Sequence, residues 1–298
     1  MPRVALLLAV LAPAALLGQE GAGAELWRVA ATTLAQPPAL ATGGAAGFWN
    51  PAQPETGERA AFGLEAVNTP STVGLAGVLF TARARVRPVG RVGIVYGRMS
   101  VSDLVPTSLS PDPDGGTIPF YTQTVGASWS AARGASAVGA TLAYGTTRLD
   151  YEHSNRWTLD VGVRYGVTGA LTVALATRSF SRFAASDAAQ DVSAGIDYRV
   201  WRGPLWRGGA AATVRGRYGI TLTRGFTHDH QFGAGFALGD LFATDLLVVR
   251  EGSYSGARWR FVAGLGLAIG RYRLNVAENP GVADIGASYR VGVEALYR

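Results

Sequence analysis

Apolar residues in this chain fall on every second position, segment after segment. In "RWTLDVGVRYGV" (156–167), Trp157, Leu159, Val161, Val163 and Tyr165 share one face of an extended chain; Asp160 and Arg164 share the other. The stretch 190–201 repeats this, with Val192, Ala194, Ile196, Tyr198 and Val200 opposite Asp191, Ser193, Asp197 and Arg199. In 257–269 the two faces are Trp259, Phe261, Ala263, Leu265, Leu267 and Ile269 against Arg258, Arg260, Gly264 and Gly266. Period-2 alternation marks strands with two different environments.

From Arg59 onward the pattern predicts strands over 59–67, 72–86, 90–99, 120–132, 135–147, 156–166, 170–180, 190–201, 208–222, 228–238, 241–251, 257–269, 271–277 and 283–298. That is about fourteen, with twelve left open by the ill-defined 271–277 and by the short link "NTPS". Links after even-numbered strands are short ("RPVG", "RGA", "VTG", "RGPLWRG", "GD"). Those after strands three, five, seven and eleven are longer, "RLDYEHSN" among them. An even strand number, strands of about ten residues and alternating short and long links are the layout of a bacterial outer-membrane barrel. The expected fold is all-β, a transmembrane antiparallel up-and-down β-barrel with both termini periplasmic. A soluble sandwich also alternates, but its inward face would not carry arginine in strand after strand.

Alternation then assigns positions. Asp160, Arg164, Arg178, Asp197, Arg199, Arg215, Arg217, Asp245, Arg258, Arg260, Arg271, Arg273, Asp284 and Arg290 are the candidates for the lumen. Trp157, Tyr165, Trp259, Tyr289 and Tyr297 are the candidates for aromatic girdles at the lipid interface. Trp157 and Tyr165 are eight residues apart, roughly 20 Å along the membrane normal after tilt, and Tyr289 and Tyr297 repeat the spacing. Asp160 and Arg164 stand about 13 Å apart along one strand, so each must find a partner on a neighbouring strand. The lumen charges either pair and fill the interior or line a path biased towards anions, since arginine outnumbers carboxylate.

Composition agrees. The chain of 298 residues is 48% hydrophobic but only 16% charged, with 40 glycines, no cysteine and a net charge of +6. Zero cysteine removes disulfides, thiolate metal sites and cysteine nucleophiles together. All the excess charge is arginine, dispersed inside apolar segments rather than clustered, which argues against nucleic-acid binding. Residues 1–24 have a secretory signal's layout: Arg3, the apolar run "VALLLAVLAPAALLG" and small residues before Glu25. That run is shorter than the twenty or so residues of a spanning helix. Residues 25–58 are rich in proline and glycine with no sustained period and read as irregular, with one short helical turn near Trp27 to Leu34, so 59–298 is the expected barrel.

Few residues suggest reactive chemistry. His228 and His230 could share a metal, but no third ligand is identifiable. No "GxSxG" elbow occurs, and "GAGFALG" and "GLGLAIG" lead into no helix. The expectation is no enzyme, no metal and no cofactor.

Two patches resemble known proteins. "GGAAGFWNPA" (43–52), with Phe48, Trp49, Asn50 and Pro51, resembles the N-terminal signature of the FadL-type long-chain fatty-acid transporter superfamily, which includes the PorV-type barrels. "LDVGVRYGVTGALTVALATRSF" resembles a mid-barrel hairpin of the PorV-like branch. The resemblance implies a fourteen-strand barrel with residues 25–58 as a plug in or under it. It also implies passive uptake of a small hydrophobic or amphipathic molecule, or else a non-transporting secretion-accessory platform. Without it, Asn50-Pro51 reads as an ordinary turn. The terminal "YRVGVEALYR", with Arg290, Gly292 and Tyr297, resembles the signal read by the barrel assembly machinery. Expected partners are that machinery, outer-membrane lipid and a small hydrophobic ligand.

Overall fold

The structure is a computed structural model; it describes residues 22–54, 57–70, 73–102, 104, 117–178, 191–206, 209–223, 228–252, 258–281 and 286–298. Fourteen antiparallel strands form one closed barrel: β1 (Ala60–Asn68), β2 (Leu75–Val86), β3 (Gly90–Val101), β4 (Phe120–Arg133), β5 (Ser136–Leu149), β6 (Glu152–Gly166), β7 (Leu171–Arg178), β8 (Asp191–Pro204), β9 (Ala211–Thr223), β10 (Asp229–Leu238), β11 (Phe242–Glu251), β12 (Arg258–Ile269), β13 (Tyr272–Asn279) and β14 (Ser288–Tyr297). Each pairs with the next, and β1 closes on β14 from Ala60↔Tyr297 to Asn68↔Tyr289. Closure leaves no sheet edge, the condition for backbone amides to be satisfied inside lipid.

The count of fourteen settles the alternative of twelve: 271–277 is a full strand, β13, paired on both sides. Links at the end where β1 begins and β14 finishes are tight, and Gly134, Gly239 and Gly270 adopt the positive φ these turns need. One expected long link is wrong. The β5–β6 ladder continues to Leu149↔Glu152, so the connection is a two-residue turn at Asp150 and Tyr151, with Asp150 at φ 54°. Polar side chains there can still form a ladder once both strands stand clear of the apolar band. β8 carries an irregularity between Arg199 and Trp201.

The two wall faces are chemically distinct. Phe62, Leu64, Ile94, Leu142, Leu159, Phe261, Leu265 and Ile269 are all exposed on the outside. Trp157, Tyr165, Trp259, Tyr289 and Tyr297 are exposed there too, Trp157 and Tyr289 towards the long links and Tyr165 and Tyr297 towards the tight turns. So large an exposed apolar surface suits lipid rather than water. No helix among the described residues is long and apolar enough to cross a membrane.

Candidate functional site: an occupied lumen

The inner face is not open. Residues 22–54 pack against it as helix α1 (Ala22–Ala31), a 3-10 turn (Pro38–Leu40) and helix α2 (Ala46–Trp49). Helix α1 overlaps the helical turn expected near Trp27 to Leu34 but starts earlier, and the 3-10 turn and α2 add order that the prolines and glycines did not signal. Leu26, Trp27, Phe48 and Trp49 form one apolar cluster with Val67, Leu75, Leu79, Val95 and Met99 of the wall. Trp27 and Phe48 stack with centroids 5.0 Å apart.

Glycines on the wall make room. Gly139 and Gly162 are cross-strand partners, and residues 50–52 of the segment lie against both. A Cβ built on Gly162 would stand 2.9 Å from the Ala52 amide nitrogen and overlap Asn50 Oδ1. Gly195 and Gly219 are a second cross-strand pair, under Leu40 and Pro37. Gly97 takes Trp27 and Phe48 in the same way. Strand glycines are therefore contact points for another backbone.

Arginines complete the grip. Arg290 Nη2 donates to the Ala30 carbonyl at 2.6 Å, and Arg260 Nη1 to the Thr32 carbonyl at 2.7 Å. Arg164 Nη2 reaches the carbonyls of Ala41 (3.2 Å) and Ala39 (3.4 Å), and Arg91 Nη1 that of Pro54 (2.7 Å). A buried segment short of secondary structure has carbonyls to satisfy, and guanidinium supplies several donors from one side chain. Arg164 thus bonds to the segment, not to a neighbouring strand as its spacing from Asp160 suggested.

Behind these contacts most of the guanidiniums, Arg164 excepted, pair with carboxylates. Arg290 Nη1 meets Glu65 Oε2 at 2.5 Å, and Glu65 Oε1 accepts the Ala45 amide at 3.0 Å. Arg217 bridges Asp197 (2.9 Å) and Asp245; Arg215 shares Asp197 at 2.8 Å, and Gln36 donates to Asp245. Arg178 pairs with Asp191, whose other oxygen accepts Thr223 Oγ1 at 2.8 Å. Arg260 pairs with Glu251 at 2.6 Å, and Glu294 takes both Arg83 (3.3 Å) and Arg273 (3.6 Å).

The "FWNP" patch is the centre of this arrangement. The Arg178 and Arg290 guanidiniums lie 5.1 and 5.5 Å from the Trp49 ring, within cation–π range. Asn50 is fully buried; its Nδ2 donates to the Ala39 carbonyl, its Oδ1 accepts the Ala52 amide at 2.8 Å, and its backbone carbonyl accepts Gln53 Nε2. Pro51 follows Asn50 on the glycine pair.

Not every lumen candidate belongs there. Arg271 sits in the exposed turn after Gly270, over the rings of Tyr272 (5.0 Å) and Tyr297 (5.2 Å), and donates to Tyr272 Oη at 2.8 Å. Alternation stops at the strand end, so parity no longer fixes its side. That hydrogen bond raises the Arg271 pKa above its ordinary value. Arg258 opens β12 and is exposed at the mouth. Arg199, partly buried, ends the regular part of β8. Asp160 lines a small pocket with Arg156, Thr158 and Arg178. Asp284 lies outside the described residues.

Sequence reading placed Asp191 on the charged face without naming it for the lumen, and missed Glu65, Arg83, Glu251 and Glu294 as partners. Glu65 carried a usable signal: it is the one charge in "AAFGLEAVN", on the face opposite Phe62 and Leu64. Among the described residues no group of three metal-ligating side chains occurs.

A cavity of about 660 Å³ remains at the end with the tight turns, between the segment and β6 to β14. Leu34, Leu40, Leu241 and Ala243 give it apolar walls, and Arg164, Arg215 and Arg273 line it too. Arg215 and Arg273 are 39% and 37% exposed, against 12% and 2% for their partners Asp197 and Glu294, so the cavity surface is cationic although the pairs are not.

Fold and lumen together define a class: the outer-membrane type of β-barrel, here with its interior occupied by its own N-terminal segment. A solved structure shares this fold. The Ralstonia pickettii toluene transporter TbuX is similar over 86% of this chain and 94% of its own, at 11% identity and a TM-score of 0.50. A KdgM porin is similar over 80% of this chain and 99% of its own, at 14% identity and a TM-score of 0.41. No protein-family model and no curated protein sequence matches the chain.

Proposed function

We propose that this chain is a passive outer-membrane transporter for small hydrophobic or amphipathic molecules, oriented with its tight turns and C-terminus towards the periplasm. The expectation of a periplasmic N-terminus is not kept, because Gly23 lies against Thr147 near the long links. Residues 1–24 serve as a cleaved signal, and the barrel assembly machinery inserts the rest. Residues 25–58 are the plug. The observation that carries the reading is the cavity: about 660 Å³ in a lumen that the segment occupies in large part, within the range of small-molecule sites. Its mixture of leucines and half-exposed guanidiniums suits a solute with an apolar body and an anionic or polar end. That a toluene transporter has this fold is in keeping with the reading. No catalytic role is assigned.

A second reading, a non-transporting structural or secretion-accessory barrel, is favoured by one observation. Ion pairs and the segment fill much of the interior. Liposome uptake separates the two. The intact protein should admit small solutes slowly, and deletion of residues 25–58 should raise uptake and give a conductance that prefers anions in a salt gradient. No uptake and no conductance in either form would sink the transport reading; cation preference would reject the charge assignment of the cavity.

A further inference from the structure

The outside of the barrel carries a cluster of hydrogen-bond donors, one guanidinium and two imidazoles, that the lumen contacts do not use. Cross-strand register places Tyr218, Phe232, Val248 and Phe261 in one outward row across β9 to β12. Two residues further towards the long links the row is Ile220, His230, Arg250 and Trp259. His228 lies one step beyond His230 on the same side, their rings edge to face at 4.8 Å. The lower row is apolar; the upper one brings an imidazole and a guanidinium side by side on strands about 4.8 Å apart.

Three details separate this cluster from arginines that merely reach for water at an interface. His230 is held: Tyr218 Oη lies 2.7 Å from its Nδ1. With the phenol donating, the neutral ring carries its proton on Nε2 as a donor. Arg250 is exposed and makes no hydrogen bond or ion pair among the described residues. The adjacent carboxylates are turned inward: Asp229 accepts the Gly252 amide and Glu251 binds Arg260. The described outward positions of β9 to β12 include no carboxylate. Arg98, at a similar height on β3, differs because its guanidinium lies 4.4 Å over the Tyr121 ring.

We propose that His228, His230 and Arg250 form a binding site for the phosphate of an outer-leaflet glycolipid, whose acyl chains lie along Phe232, Val248 and Phe261. Guanidinium and imidazole donors match phosphate oxygens, and charge-assisted hydrogen bonds to them are strong. Trp259 flanks the headgroup at the level where an amphipathic ring is favoured. The leaflet rests on the orientation proposed above, with the long links outside the cell.

Native mass spectrometry of the delipidated full chain in detergent tests the site, with bisphosphorylated lipid A, its dephosphorylated form and phosphatidylglycerol as probes. The bisphosphorylated lipid should bind saturably, one per barrel. The dephosphorylated form and the His230→Ala/Arg250→Ala variant should each bind at least about tenfold more weakly, since each loses more than one hydrogen bond to phosphate, and a single charge-assisted one accounts for about tenfold. Arg98→Ala should bind as the unaltered protein does. If the double variant fails to assemble, Arg250→Gln alone serves. Equal binding by the variant, or preference for phosphatidylglycerol, would overturn the proposal. Detergent binding does not depend on orientation. Labelling of a cysteine placed at Tyr151 on intact cells reads orientation separately, so the two failures are told apart.

Discussion

Replacing Arg290 with methionine should be the most damaging single change in the lumen. The side chain donates to Glu65, to Thr33 Oγ1 and to the Ala30 carbonyl, and stacks on Trp49. Methionine keeps much of the volume and none of the donors. It leaves Glu65, itself buried, as an uncompensated charge. Removing one member of a buried pair costs about 3–5 kcal/mol. Most of that loss should return in Arg290→Met/Glu65→Gln, because the stranded charge, not the missing attraction, is the larger part. Urea unfolding in lipid vesicles checks both variants. A neutral Arg290→Met would mean that the pair is solvated and the segment is held by apolar contact alone.

The second large effect concerns a methyl group. Gly162→Ala places a Cβ against Asn50 Oδ1 and within 2.9 Å of the Ala52 amide, where the neighbour is backbone and cannot simply swing away. Overpacking of this kind costs about 1–3 kcal/mol. Here the cheapest relief is withdrawal of residues 50–52 from the wall, so protease should cut the segment faster while the barrel stays folded. Gly145→Ala is the control: a Cβ there meets nothing closer than 3.8 Å, on the same pair of strands. Equal protease sensitivity in the two variants would show that Asn50 does not rest on Gly162.

Much of the wall could be read from the sequence because membrane strands obey one rule at every position. Tyr165 must face out if Arg164 faces in, and a one-residue error would invert a whole strand. Fourteen strands therefore came through with edges displaced by a few residues, most at the starts of β14 and β6; the polar residues that open β6 carry no apolar marker. What parity cannot give is depth. Arg271 and Arg273 have the same parity, yet one stacks on tyrosines outside and the other reaches Glu294. Nor does parity say what fills the lumen. The grip on the segment joins residues far apart in the chain, such as Arg290 with Ala30 and Arg260 with Thr32, and it ends on carbonyls, which every residue has. The sequence hint was indirect: glycines at 139, 162, 195 and 219 on inward parity, where a wall facing only water would have no need of them.

These glycines and arginines describe one design. Small residues let a second backbone approach the wall, and guanidiniums satisfy the carbonyls that it brings along. The same residues then decide how much lumen is left for a solute.

The central claim, that residues 22–54 reside inside the barrel, is most directly measured by cross-linking, and a chain with no cysteine of its own gives a clean background. Ala39 and Ala174 belong to one buried contact cluster with Leu40 and Ala176. With cysteines at both positions, mild oxidation of the membrane-inserted protein should join them in high yield, and neither thiol should react with alkylating reagent beforehand. Two freely alkylated thiols and no cross-link would place the segment outside the barrel and contradict the account.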